Sequence, residues 1–278
     1  MTFASWATAL LLAAGAAAPT APPPPPPPAP VATAPVPPPP PPPRPPAATE
    51  LEKDPRALAL IKKMSDRLAQ AKTFSFRARI AMELPVEGGP LATFFNDATA
   101  VVQRPNRLAA TRSGDLAEVG FAYDGKSMTI FTPGDGKGKG WWGTIAAPAT
   151  LDAMILAAAE QGDLSFPFDE VLVADPYAAV TRGLLQATLL GTTLMGGKKT
   201  DHLLLASPGL ELQLWVDQAT SLPARVSLVY ADQVERPHYS VDYSDWKLDH
   251  RVRTSAFELP KPKDATQVEF RAAAAAFR

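Results

Sequence analysis

The chain has 278 residues, 27 Lys and Arg against 28 Asp and Glu, and a formal net charge of −1. That balance supplies no long-range pull toward nucleic acid or anionic headgroups. The absence of cysteine excludes thiol catalysis, iron–sulfur clusters, cysteine-ligated zinc and the acylated N-terminal cysteine of lipoproteins.

Residues 2–18 carry no charge and end in Gly15-Ala16-Ala17-Ala18, which predicts an export signal cut near Ala18. The only basic group ahead of it is the α-amino group, and 17 apolar residues are just enough to span a bilayer. An uncleaved N-terminal anchor is therefore the alternative to a cleaved signal over residues 1–18. Between Pro19 and Pro46 lie 19 of the 32 prolines. Such a run adopts polyproline II at about 3.1 Å per residue and reaches on the order of 85 Å. Residues 19–48 are expected to be a disordered linker, either a semi-rigid stalk or a plain solvated spacer. What remains is about 225 residues, enough for one large domain without disulfides.

Asp54-Pro55 is a helix start, a capping carboxylate followed by proline at the first helical position. Leu58, Ile61, Met64 or Ser65, and Leu68 then recur at helical spacing, predicting an amphipathic helix to about Ala71. Phe74, Phe76, Ala78, Ile80 and Met82 alternate with more polar neighbours, as in a strand with one buried face. Strands are predicted over 94–103, 108–112, 118–123 and 127–131. The tight turn at Asp124-Gly125 is expected to need positive φ at both central residues. Residues 134–140 (GDGKGKG) read as a flexible loop before Trp141-Trp142.

Helices then interrupt the strands. Thr150 caps a helix over 151–161 that Gly162 is expected to end. A short piece spans 168–173, and Asp175-Pro176 opens a helix to about Leu185. Strands return over 187–195, 200–207, 210–216, 224–230 and 238–248. The fold class is thus mostly β with helices (α+β). The architecture expected is a curved antiparallel sheet forming a half-open barrel under a helical lid.

Catalytic signatures do not emerge. The glycine-lysine loop lacks the Walker A register, and there is no G-x-S-x-G elbow or H-E-x-x-H pair. His202, His238 and His250 are scattered, and Asp201-His202 lies in a strand where neighbours point to opposite faces. No metal, cofactor or enzymatic activity is expected. Aromatics are plentiful on the strands, as an ordinary core requires. A second reading is an apolar hollow left open for a lipid or acyl chain.

Several segments together resemble a known family. They are Asp54-Pro55 with the helix through Met64, Arg104-Pro105-Asn106-Arg107-Leu108, Tyr123-Asp124-Gly125-Lys126, and the stretch Ala147 to Asp152. Further along come Asp175-Pro176-Tyr177, Asp201-His202-Leu203, Leu214-Trp215-Val216, Leu222-Pro223-Ala224-Arg225 and Asp245-Trp246. In this order they resemble a bacterial family of predicted periplasmic proteins, domain of unknown function 2092, in the superfamily of lipoprotein-carrier and lipoprotein-receptor (LolA/LolB-like) folds. The resemblance implies a half-barrel over residues 49–272, with 273–278 as a disordered tail, and a place in the periplasm. It carries over no catalytic residue.

The function expected is non-enzymatic binding of a lipid or a lipoprotein acyl chain. Phe74, Phe76, Ile80, Trp215 and Tyr230 would face the hollow, and the helix over 151–161 would serve as lid. Partners would be a lipid or acylated protein, with membrane contact only through an uncleaved leader. The alternative is a stalk-mounted scaffold or sensor that binds an envelope protein.

Overall fold

The computed structural model describes residues 52–275, except 88, 133–139, 165, 167–168 and 259–263. The chain divides into two units, Met1–Ala47 and Ala48–Arg278, and the second holds all the described residues. The leader, the proline linker, nearly all of the glycine-lysine loop and residues 276–278 lie outside the described residues.

Helix α1 (Pro55–Gln70) begins as its sequence predicts: the Asp54 carboxylate accepts from Arg56 N at 2.8 Å, with proline in the first turn. Ala57, Ile61, Met64 and Leu68 form its buried stripe. The strands are β1 (Thr73–Pro85), β2 (Leu91–Gln103), β3 (Arg107–Gly114), β4 (Val119–Tyr123), β5 (Ser127–Thr132) and β6 (Trp141–Ala146). Three helices follow, α2 (Leu151–Gly162), α3 (Asp169–Leu172) and α4 (Pro176–Thr181). Then come β7 (Gln186–Met195), β8 (Lys198–Ser207), β9 (Leu210–Asp217), β10 (Pro223–Tyr230) and β11 (His238–Leu248). The chain closes with β12 (Thr266–Gln267) and α5 (Phe270–Ala274).

All twelve strands join one open curved sheet in the order β12-β6-β5-β4-β3-β2-β1-β11-β10-β9-β8-β7. Strand β1 is the seam. One wing, β2 to β6, grows from its first edge, and the other, β11 back to β7, from its second. Pairing is antiparallel except for the two residues of β12 along β6. The buried helical stripes and one face of the sheet share a single apolar core, so the helices roof that inner face. The expected half-open barrel is what the chain forms.

Local corrections have simple causes. At Asp124 the turn is made by the side chain, whose Oδ1 accepts from Lys126 N at 2.9 Å and Ser127 N at 2.8 Å. Only Gly125 has positive φ, 92°. Helix α2 includes Gly162 and ends on Asp163, φ 52°. Gly162 is there for closeness: a Cβ would meet the Phe270 ring at 2.9 Å. The predicted disordered tail is also overturned for residues 273–275. Ala273 and Ala274 are 0 % exposed within α5, which lies on Gly143 of β6, where a Cβ would come within 2.8 Å of Ala273 Cβ. Strand β6 was not expected, because Gly143 interrupts its apolar run.

Candidate functional site

Side-chain alternation sorts the strands into inner and outer residues, with irregularities in the β1–β11, β9–β10 and β7–β8 pairs. Across β1–β5 the inner row Phe74, Val102, Leu108, Tyr123 and Met128 is in register, and every member is 0 % exposed. Helix α2 closes this end through Leu151 and Met154, both buried. It is fastened at several points. Leu151 N donates to Pro105 O at 2.9 Å, Ala174 N to Asp152 Oδ1 at 3.1 Å, and Arg271 Nε to Gln161 O at 3.3 Å. The predicted lid helix is therefore a pinned roof.

The other end of the same face differs. Met82 stands opposite Phe94 on β2 and Tyr239 on β11, and Tyr239 opposite Leu228, itself opposite Leu212. Met82, Phe94, Leu228 and Leu212 are only half-buried, as are Leu84, Leu210 and Tyr230 further out. This is an apolar trough at the margin of the helical roof.

Polar groups gather beside it. Helix α3 carries Asp169 and Glu170, both half-buried and hydrogen-bonded to each other. Burial pushes both carboxyls up, Glu170 well above its usual range with Asp169 adding repulsion. Beneath them lie three phenols. Burial and then Glu170 push Tyr230 up to about 12. Burial does the same to Tyr239 and Tyr243, with Glu170 contributing at both. These phenols stay protonated at neutral pH, and each keeps an O–H able to donate. On β3, Arg112 shares an inner row with Ala98, Ala78 and Tyr243, and burial lowers its pKa. Its Nη2 donates to Ala117 O at 3.4 Å.

The structure places Phe74, Phe76, Ile80 and Tyr230 on the inner face. The first three are at most 2 % exposed, so they sit under the roof, while Tyr230 borders the trough. Trp215 is a correction. Leu214 and Val216 take the inner phase of β9, so Trp215 must point outward, where it stacks on His202 at 4.1 Å between centroids. The outer face carries two depressions, one of ≈ 310 Å³ bordered by Phe95, Trp215, Arg79 and Arg225 and one of ≈ 620 Å³ around Arg77, Thr99 and Lys247. Sequence reasoning missed Asn96 and Arg112, although both are polar residues in the inner phase of their strands. Asp169 and Glu170 had no such signal, since only the course of the chain brings α3 over β10 and β11.

An open, curved antiparallel sheet roofed on its inner face by helices is the class of fold this chain adopts. The chain belongs to the family of predicted periplasmic proteins, domain of unknown function 2092, whose model matches residues 57–271, and it is a periplasmic protein. No curated protein matches it in sequence. Among solved structures it is similar to the lipoprotein LppX of Mycobacterium tuberculosis, at 14% identity and TM-score 0.41 over 73% of this chain and 100% of that one. An uncharacterized conserved protein of Thermus thermophilus gives 12% and 0.43 over 77% and 99%. MucB in the Pseudomonas aeruginosa MucA/MucB complex gives 12% and 0.41 over 74% and 61%. Nothing about ligands follows from likenesses at these values.

Proposed function

We propose that this protein is a non-enzymatic periplasmic binder of a lipid or an acyl group, held along the trough of Met82, Phe94, Leu212 and Leu228. The observation that carries this reading is the contrast within one inner face. Its row from Phe74 to Met128 is fully covered, whereas large apolar side chains at its other end are left half-buried. Moving an acyl chain from water into such a trough gains about 0.8 kcal/mol per methylene. A sixteen-carbon chain gains on the order of 10 kcal/mol before ordering costs.

The test is lipid extraction and mass spectrometry of the purified protein, with uptake of a fluorescent fatty acid. A bound lipid is expected, and Leu228→Trp, which fills the trough, is expected to abolish uptake while the protein stays folded. Recovery of no lipid together with no uptake overturns the reading.

One observation favours a second reading, docking of an envelope protein. Strand β7 is an outermost strand with Leu190 and Leu194 at 50 % and 73 % exposure, and such edges invite strand addition. A photo-crosslinker at Leu194 that yields no protein adduct in the periplasm removes it.

A further inference from the structure

A bare acyl chain leaves three features of the open end unused. Tyr239 is 7 % exposed, yet its hydroxyl finds no hydrogen-bond partner among the described residues. Leaving such a group unsatisfied costs about 1–3 kcal/mol, unless a ligand completes it. Asp169 and Glu170 are two adjoining half-buried carboxyls, and neither forms an ion pair with a described cation. Burial and mutual repulsion push the pair toward its protonated form, and an ammonium held against it would favour the ionised form. Finally, the Arg112 guanidinium is half-buried and interacts with the Tyr239 phenol.

These groups are arranged by the sheet. Arg112, Ala98, Ala78 and Tyr243 are consecutive in one inner row, spanning about 14 Å at 4.8 Å per strand. The two alanines in its middle are small and buried, at 3 % and 5 % exposure. Tyr239 is on the same face of β11 two positions nearer the trough, opposite Met82. The α3 carboxyls act on Tyr230 and Tyr243 from above β10 and β11. The margin therefore holds the α3 carboxyls over β10–β11 and, beside them, a donor pair made of the Tyr239 phenol on β11 and the Arg112 guanidinium on β3.

Building on the lipid-binding reading above, we propose that the open end recognises a zwitterionic glycerolipid headgroup, an amine and a phosphate joined by a short carbon spacer. Asp169 and Glu170 take the ammonium; the Tyr239 hydroxyl and Arg112 take the phosphate oxygens; the chains lie along Met82, Phe94, Leu212 and Leu228. An anionic lipid without the amine leaves the carboxyls without a counter-charge. A neutral diacylglycerol leaves both pairs empty. An ammonium–phosphate pair completes each in one molecule and keeps the bound site near electrical balance.

The experiment is calorimetry of the purified full chain with three soluble probes, dioctanoyl phosphatidylethanolamine, dioctanoyl phosphatidylglycerol and dioctanoylglycerol. The ethanolamine lipid is expected to bind tighter than either of the others by about tenfold or more, the yield of one or two charge-assisted hydrogen bonds. The double variant Asp169→Asn/Glu170→Gln brings its affinity down to that of the glycerol phospholipid. Tyr239→Phe weakens both phospholipids alike, and binding of dioctanoylglycerol, unchanged in all variants, reports that they are folded. Equal binding of the three lipids by the natural chain, tighter binding of the phosphatidylglycerol, or a preference that survives the double variant overturns headgroup recognition and leaves lipid binding standing. If none of the three binds, both readings fall.

Discussion

Two regions of one sheet surface, built from the same alternating pattern, have opposite fates. At Phe74, Val102, Leu108, Tyr123 and Met128 the inner row is sealed by α2. Gly143 and Gly162 allow α5 to come in against β6 and α2 behind it. At Met82, Phe94, Leu228 and Leu212 the side chains of the same face stay half-buried, near the four-residue α3 whose carboxyls act on Tyr230. Apolar alternation alone therefore does not decide whether a surface becomes sealed core or stays half-exposed. The decision is made by what packs over it, and the glycines on one side and the short acidic helix on the other set that difference.

The largest expected break in this contrast is Phe74→Ala, which empties a fully covered position and costs about 3–5 kcal/mol by urea unfolding. A smaller truncation in the trough, Leu228→Ala, is expected to cost less, about 1–2 kcal/mol, because it removes fewer carbons from a site already partly hydrated. It should nevertheless weaken fatty-acid uptake more than Phe74→Ala does in whatever fraction remains folded. A smaller effect sharpens the electrostatic side. Glu170 has its folded pKa raised by burial above the ordinary 4.5. Such a group contributes stability that is complete below its unfolded pKa and lost as pH climbs through the folded value. Thermal midpoints should thus fall as pH rises from about 4.5 toward neutrality, and Glu170→Gln should flatten that slope. Smallest is Asp175→Ala, which removes the carboxylate that accepts from Ala178 N at 2.9 Å; about 1 kcal/mol is expected, with lipid uptake unaltered.

The sequence made the strands legible because Phe74 to Met82, and later Leu203, Leu205, Leu212, Leu214 and Val216, keep a strict period of two. The same period should have turned Trp215 outward; its bulk outweighed its phase in the reading, and bulk carries no directional information. Helix starts at Asp54, Thr150 and Asp175 were legible for a local reason, since each cap is made within three residues of the helix. Strand β6, β12 and α5 were not, because they depend on contacts among Gly143, Phe270 and Ala273 that only the folded chain creates. The candidate site divides likewise. Asn96 and Arg112 carried a readable signal, a polar side chain in an apolar phase, whereas Asp169 and Glu170 look like any acidic pair until the fold brings them to three phenols.

The seam at β1 has a consequence for assembly. The neighbour that completes it, β11, is the penultimate strand along the chain, so Ile80 waits for Val241 while most of the domain is still arriving. Closing so long a loop is entropically slow. A chain delivered from its N-terminus thus presents a bare, apolar-lined edge in the middle of its future sheet. Truncation upstream of His238 would leave that edge unpaired for good, favouring association with other copies over folding.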